Sequence, residues 1–398
     1  MERAELQQLL SAEGLRLLDS LPAWRSTADV VKTVASLRSA GHSPELVAAV
    51  LSQSKLRTRA AGKFGPFASR MLFTEAGLEQ ATRLRVAALH AGRFRAAGLT
   101  KIADLGCGIG GDAMAMAGLD LDVTAVELDE VTAAIASYNL APWPDARVIN
   151  ADVTTADLDS FDGVYLDPAR RTAGHSNTSR LTKPADFSPS LDFAFALGQR
   201  FATGVKLGPG IDRDLIPEDA EAQWISVDRD VVELGVWFGS VARPGIRRSA
   251  LVIGDHGTAE LSAGDDSEDA PTGALGQYIF EPDGAVIRAR LIGDLARSLD
   301  ARMVSTGIAY LTADKPAESP FAACFRVIDV LPYDERSLRK HLASRGIGTL
   351  EIKKRGVDVD PAALRRKLAL KGAASATLFV TRVAGRHIAL LAERLPRD

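Results

Sequence analysis

The stretch Ile102-Ala103-Asp104-Leu105-Gly106-Cys107-Gly108-Ile109-Gly110-Gly111 constrains the fold more than any other part of this chain. A short, mainly apolar strand runs into a glycine-rich loop, and Asp112–Ala117 then reads as the start of a helix. Strand, loop and helix N-terminus together suit a nucleotide, because glycines let the backbone approach a ligand and the helix end offers N–H groups without intrahelical partners. The alternation continues through Val123–Glu127, Arg147–Asp152, Phe161–Leu166 and Thr203–Leu207, with helical patterns between. Short buried strands alternating with helices predict an α/β, Rossmann-like parallel sheet covered on both faces. Val231–Gly239 and Ser249–Gly254, joined through Arg243-Pro244-Gly245, predict an antiparallel hairpin closing one edge.

Four segments follow from this reading. Residues 1–75 are expected to form a helical N-terminal extension, residues 76–254 the Rossmann-like domain, and 255–276 an acidic, glycine-rich linker. Residues 277–398 form an α+β region ending in a small module at about 326–398. The extension shows amphipathic spacing at Val30, Val31, Val34 and Leu37, and Ser43-Pro44-Glu45 is a good helix start. One helix is predicted from Glu75 to about Ala97, capped by Thr74. The start Met1-Glu2-Arg3-Ala4-Glu5-Leu6 lacks the apolar core of a signal peptide. No uncharged apolar run reaches the roughly 18–20 residues needed to cross a bilayer. Two cysteines, Cys107 and Cys324, exclude a disulfide framework, and the six scattered histidines suggest no metal site. A cytoplasmic protein without metal or membrane partner is expected.

The loop alone is ambiguous. Gly106, Gly108 and Gly111 also satisfy the dinucleotide pattern G-x-G-x-x-G. Three acids decide against a dinucleotide. Asp104 lies two residues before the first glycine, placed to receive a ligand amine or to brace the loop. Glu127 ends the next strand, where a carboxylate can take both ribose hydroxyls. Asp152 ends the third strand, where an adenine amino group can use it. The predicted binding set is Asp104, Gly106, Cys107, Gly108, Gly110, Glu127 and Asp152.

On these residues the chain resembles class I S-adenosylmethionine-dependent methyltransferases, with Asp104–Gly111 as their first motif and Asp167-Pro168-Ala169-Arg170 as their fourth. Its wording is similar to the trimethylguanosine-synthase-like group. Leu350–Gly356 and the following Pro361 helix resemble bacterial methyltransferases with a THUMP-like C-terminal domain. The resemblance implies S-adenosyl-L-methionine as cofactor. It is specific for cofactor and fold, and weak for substrate.

At the reaction end, the fourth strand delivers Asp167 and Pro168 to the carboxyl edge, where ligands of open α/β sheets bind. In amino-group methyltransferases an Asn/Asp-Pro-Pro-aromatic motif accepts hydrogen bonds from the target amine and stacks its base. Here Ala169 and Arg170 replace the second proline and the aromatic, so the stacking role is missing from the motif. Arg170 and Arg171 suit a phosphate or a purine edge instead. Pyrimidine C5 methylation needs a nucleophilic cysteine, and neither Cys107 nor Cys324 is placed for it. Asp167, Lys206, Glu233 and a lysine such as Lys63 would be the set for ribose 2′-O methylation, so that chemistry stays open behind a base nitrogen or amino group. The expected catalytic residues are Asp167, Pro168, Arg170 and Lys206.

Charge points to the acceptor. Residues 326–398 hold sixteen Lys/Arg against eight Asp/Glu in a chain of formal net charge −3. Lys353-Lys354-Arg355 follows a strand and Arg365-Arg366-Lys367 lies on the next helix. Lys55, Arg57, Arg59, Lys63 and Arg70 are interleaved with Phe64 and Phe67, a pattern that suits phosphate neutralisation with base stacking. RNA is therefore the expected partner, bound by Lys63, Arg171, Lys353, Lys354, Arg355, Arg365 and Arg366. A protein that binds the cofactor and acts through interactions, or methylates a small molecule or protein, is the alternative.

Overall fold

The computed structural model describes residues 1–21, 27–170 and 184–396. It divides into two compact units, one of residues 1–207, 211–217 and 236–242, the other of the remainder.

The first unit opens with helices α1 (Arg3–Leu9), α2 (Ala12–Ser20), α3 (Thr27–Ser39) and α4 (Pro44–Phe64). The Ser11 and Ser43 side chains accept from the N–H groups of Gly14 and Leu46, supplying the caps that polar residues give at helix starts. The expected helix over 75–97 is two: α5 (Glu75–Gln80), capped by Thr74, and α6 (Leu84–Ala96). The chain breaks at Ala81–Arg83 because the carbonyls at the end of α5 are taken by two lysine side chains, Lys63 and Lys206.

Strand β1 (Lys101–Leu105) and α7 (Gly111–Ala117) flank the glycine loop, followed by β2 (Asp122–Glu127), α8 (Glu130–Leu140), β3 (Ala146–Asn150) and β4 (Gly163–Leu166). A two-residue ribbon pairs β5 (Ala169–Arg170) with β6 (Phe187–Ser188), and α9 (Leu191–Gly198) leads to β7 (Ala202–Leu207). Within this unit the strands run parallel in the order β3-β2-β1-β4-β7. The Rossmann-like expectation is met. The N-terminal helices share its core: Leu6, Leu46, Val50 and Phe64 lie in one buried cluster with Ile102, Ile109 and Met114. Gly77 on α5 sits so close to the loop that a Cβ there would come within 2.5 Å of Ile109 Cγ2. The extension therefore braces the glycine loop, and truncating a fully buried ring such as Phe64 costs about 3–5 kcal/mol.

The second unit corrects two expectations. Strand β8 (Glu221–Val227) neighbours β9 (Asp230–Phe238), turning through Asp228 and Arg229, both at positive φ. The predicted hairpin between 231–239 and 249–254 is absent. Instead β10 (Arg248–Gly254) runs parallel to β8 and antiparallel to β11 (Gly257–Ala263). The stretch expected as a linker thus holds an edge strand. Arg243 explains the misreading: it is tied to Glu221 and Glu260 at 2.6 Å each, so Arg243-Pro244-Gly245 is pinned across strands and not a hairpin turn.

Beyond it lie β12 (Tyr278–Pro282), α10 (Gly284–Arg288), α11 (Ile292–Ser298), β13 (Arg302–Ser305), β14 (Ile308–Ala313) and β15 (Ala322–Pro332). Then come α12 (Glu335–Ser344), β16 (Ile347–Lys354), α13 (Pro361–Leu368), β17 (Ala374–Val383) and β18 (Arg386–Arg394). These strands form one sheet, β13-β14-β12-β15-β18-β17-β16. Leu338 and Leu342 of α12 and Leu364 and Leu368 of α13 pack with Leu378, Val380 and Leu391, while Phe325, Phe379 and Leu390 belong to a second buried cluster. Adjacent residues of β17 and β18 thus serve different cores, as strand alternation requires.

Candidate active site

The glycine loop is closed by its own backbone. The N–H groups of Gly106 and Cys107 both donate to the Val126 carbonyl, that of Gly110 to the Cys107 carbonyl, and that of Gly108 to Glu127 Oε2 at 3.0 Å. Gly106, Gly108 and Gly110 all have positive φ, a region where side chains are strained. A Cβ on Gly108 would meet only open space, so its demand is conformational. Four N–H groups engaged inside the chain are four not offered to a pyrophosphate, which favours the methyltransferase reading of the motif over the dinucleotide one. Asn139, buried in α8, donates to the Ile109 carbonyl and holds the Leu72 backbone on both sides.

Asp104 is 1% exposed, and its Oδ2 is buried without a hydrogen-bond partner. Burial, with Asp112 and Asp167 nearby, pushes its carboxyl well above the usual range. An orphaned acceptor at the loop fits a ligand that brings an ammonium donor. The other Glu127 oxygen accepts from the Asp129 N–H at 2.9 Å, so this carboxylate shapes the turn as well as facing the loop. Asp152 is surface-exposed at the end of the β3 segment, where hydrogen bonds from the Thr154 N–H and hydroxyl hold its carboxyl below the usual range. Asn150, not singled out in the sequence, donates to the carbonyls of Glu127 and Leu128 and ties β3 to the β2 turn. The Cys107 thiol is pushed well up by burial and the neighbouring acids, which suits a packing role better than a nucleophile.

Asp167 follows β4, beside Gly106. It is ion-paired with Lys206 of β7. Lys206, 8% exposed, also donates to Thr82 Oγ1 at 3.0 Å and to the Gln80 carbonyl at 3.3 Å. Pro168 is buried and the backbone of Arg170 is in the β5–β6 ribbon; the Arg170 side chain and Arg171 lie outside the described residues. Glu233 belongs to the second unit and is buried. Lys63 is half-buried and its head is committed to the chain. Its Nζ donates to the carbonyls of Leu78, Glu79 and Ala81 at 2.8, 2.7 and 2.7 Å, capping α5. Burial and the charges of Arg83 and Lys206 push it down to about 8. Of its companions, Phe64 is in the core and Arg57 and Arg59 pair with Asp19 and Glu75, while Lys55, Arg70 and Phe67 are exposed.

In the second unit, Lys353 is held between Glu281 at 2.8 Å and Glu351 at 2.9 Å, and Arg355 stacks over Tyr310 at 5.0 Å. Arg365 is exposed but donates to the Leu350 carbonyl, and Lys367 pairs with Glu335. Lys354 and Arg366 are exposed. Arg336, Arg339 and Lys340, which no sequence signal marks, are exposed on α12, and Lys371, which belongs with the basic cluster of α13, is exposed beyond that helix. Among the described residues no group of three or more His, Cys, Asp or Glu is arranged to hold a metal, and no helix is long and apolar enough to cross a membrane.

Comparison with known proteins fits this geometry. Residues 322–394 match the THUMP domain-like family model, and residues 2–60 match a domain of unknown function. An uncharacterised S-adenosylmethionine-dependent methyltransferase of Mycobacterium tuberculosis is 35% identical over 342 residues, covering 82% of this chain and 90% of the relative. A solved protein of Porphyromonas gingivalis W83, provisionally assigned as a methyltransferase, superposes with a TM-score of 0.73 at 21% identity, covering 100% of this chain and 99% of that one.

Proposed function

From its membership of the S-adenosylmethionine-dependent methyltransferase family, we propose that this protein methylates RNA, at a base nitrogen or amino group in preference to a ribose hydroxyl. Bound S-adenosylmethionine supplies an electrophilic methyl group. The residues that would hold it are Asp104, whose unsatisfied carboxyl oxygen takes the ligand ammonium, the loop Gly106–Gly110, Glu127 on the ribose hydroxyls and Asp152 on the adenine amino group. Asp167 and the Pro168 segment would meet the acceptor. A carboxylate fixed by Lys206 orients an acceptor N–H and stabilises positive charge that develops on nitrogen as it takes a methyl. Lys63, needed for the ribose reading, is committed to a helix cap, and this favours nitrogen.

RNA as substrate rests on one observation above others. The THUMP-like module carries an excess of eight positive charges over 326–398, several of them exposed on α12, α13 and the following loop. Such a surface suits phosphate contacts without sequence reading. The test compares nucleosides from the RNA of cells with and without the gene by mass spectrometry. One methylated nucleoside missing from the deletion strain supports the reading, and an unchanged nucleoside profile rejects it.

A further inference from the structure

Behind the Asp167–Lys206 pair runs a line of buried polar groups that binding a cofactor does not require. Thr82 Oγ1 accepts from Lys206 Nζ at 3.0 Å and donates to Asp112 Oδ2 at 2.6 Å. Asp112 Oδ1 lies 2.9 Å from His90 Nδ1, and the Tyr165 hydroxyl lies 3.0 Å from the same nitrogen. Thr82, Asp112, His90 and Tyr165 are 4%, 6%, 1% and 1% exposed. A buried carboxylate is costly unless it is paired and hydrogen-bonded. Burial pushes Asp112 up, but the hydrogen bonds from His90 and Thr82 hold it below its ordinary value, so it remains an acceptor.

The direction of these bonds follows from the chemistry of a hydroxyl. Thr82 has one proton, and a carboxylate accepts it. Its lone pairs then face Lys206, which must donate. The ammonium is thereby held from behind by Thr82 and the Gln80 carbonyl, and it also meets Asp167.

We infer that Thr82 and Asp112 are positioning residues of the methyl-transfer site, holding the Lys206 ammonium against Asp167 so that the carboxylate keeps one orientation toward the acceptor. The inference rests on the acceptor-side placement of Asp167 proposed above. The break between α5 and α6 at Ala81–Arg83 brings Thr82 between Lys206 and Asp112 in the first turn of α7.

The test uses the full-length protein, labelled S-adenosylmethionine and total RNA from cells lacking the gene. Thr82→Val keeps the shape and removes the hydroxyl. It should lower kcat about ten- to a hundredfold, as for a lost bond to a charged group, with cofactor affinity within about twofold of wild type. Thr82→Ser restores the hydroxyl and should recover most of the rate. A second measurement needs no acceptor. The ammonium 15N signal of Lys206, identified by its loss in Lys206→Gln, should be observable in wild type and Thr82→Ser and vanish in Thr82→Val, because exchange is slow only while the donor is held. If wild type transfers no label to RNA, the RNA reading fails and the 15N result alone decides this inference. Wild-type kcat in Thr82→Val, cofactor affinity falling as much as kcat, a signal unchanged by Thr82→Val, or no signal in wild type overturns it.

Discussion

Lys206 on β7 and Asp167 at the end of the adjacent strand β4 form an ion pair beside the glycine loop, and the lysine is the more deeply buried partner. A buried ammonium paired with a carboxylate makes that carboxylate's charge and orientation depend on the fold. Replacing one member of such a pair leaves the other uncompensated, which is expensive in proportion to burial.

Asp167→Asn is therefore expected to abolish most methyl transfer while leaving S-adenosylmethionine affinity within about threefold of wild type. Calorimetry and single-turnover transfer on the same preparation check this. A fall in affinity as large as the fall in rate would mean that Asp167 serves the cofactor.

For Glu127→Ala, cofactor affinity should fall about ten- to a hundredfold, since bonds to a charged group are worth about 1.5–3 kcal/mol. Glu127 also accepts from the N–H groups of Gly108 and Asp129, so the loop should loosen as well. Faster amide exchange at Gly108 in the variant reports that second effect. Unchanged affinity in a folded variant removes Glu127 from the binding set.

How much of this was legible in the sequence depends on distance along the chain. The glycine loop, its flanking strands and the acids at 104 and 127 are local patterns, and the structure brings them to one end of the parallel sheet. The Lys206–Thr82–Asp112–His90 line joins residues 124, 30 and 22 positions apart, so no local spacing announces it. Lys63 shows the opposite failure. A lysine near a glycine loop reads the same whether it meets phosphate or, as here, three helix-end carbonyls. The Arg243-Pro244-Gly245 turn signal misled because the true reversal uses Asp228 and Arg229, two non-glycine residues at positive φ.

Lys63 also carries a pH prediction. Its folded pKa of about 8 lies below the 10.5 of the unfolded chain, so between those values the unfolded state binds more protons. This group's contribution to stability should therefore rise from about pH 8 to pH 10.5. The difference between wild-type and Lys63→Met unfolding free energies, measured by urea across that window, should grow with pH. A flat or falling difference would instead mean that the three carbonyls, which take all three ammonium protons, hold the charged form and that burial does not push the group down.

The C-terminal module separates structural from surface cations. Lys353→Glu places a third acid with Glu281 and Glu351 and should lower the melting temperature by several degrees. Reversing the exposed Lys354, Arg366 and Lys371 to glutamate should instead leave melting nearly unchanged and weaken RNA binding. Each phosphate neutralised on a single strand contributes about 0.7 to the log–log salt slope. Four engaged cations would give a slope near 3, and the triple reversal should cut it by about 2. RNA affinity insensitive to salt would show the basic face to be solvated or committed to a protein.

A single reaction tests methyl transfer to an RNA base. The purified protein is incubated with methyl-deuterated S-adenosylmethionine and total RNA from cells lacking the gene, and the RNA is digested and its nucleosides weighed. One nucleoside should gain a deuterated methyl on its base, with no gain for Asp167→Asn. Label appearing in the protein or small-molecule fraction, with none in any nucleoside, would contradict it.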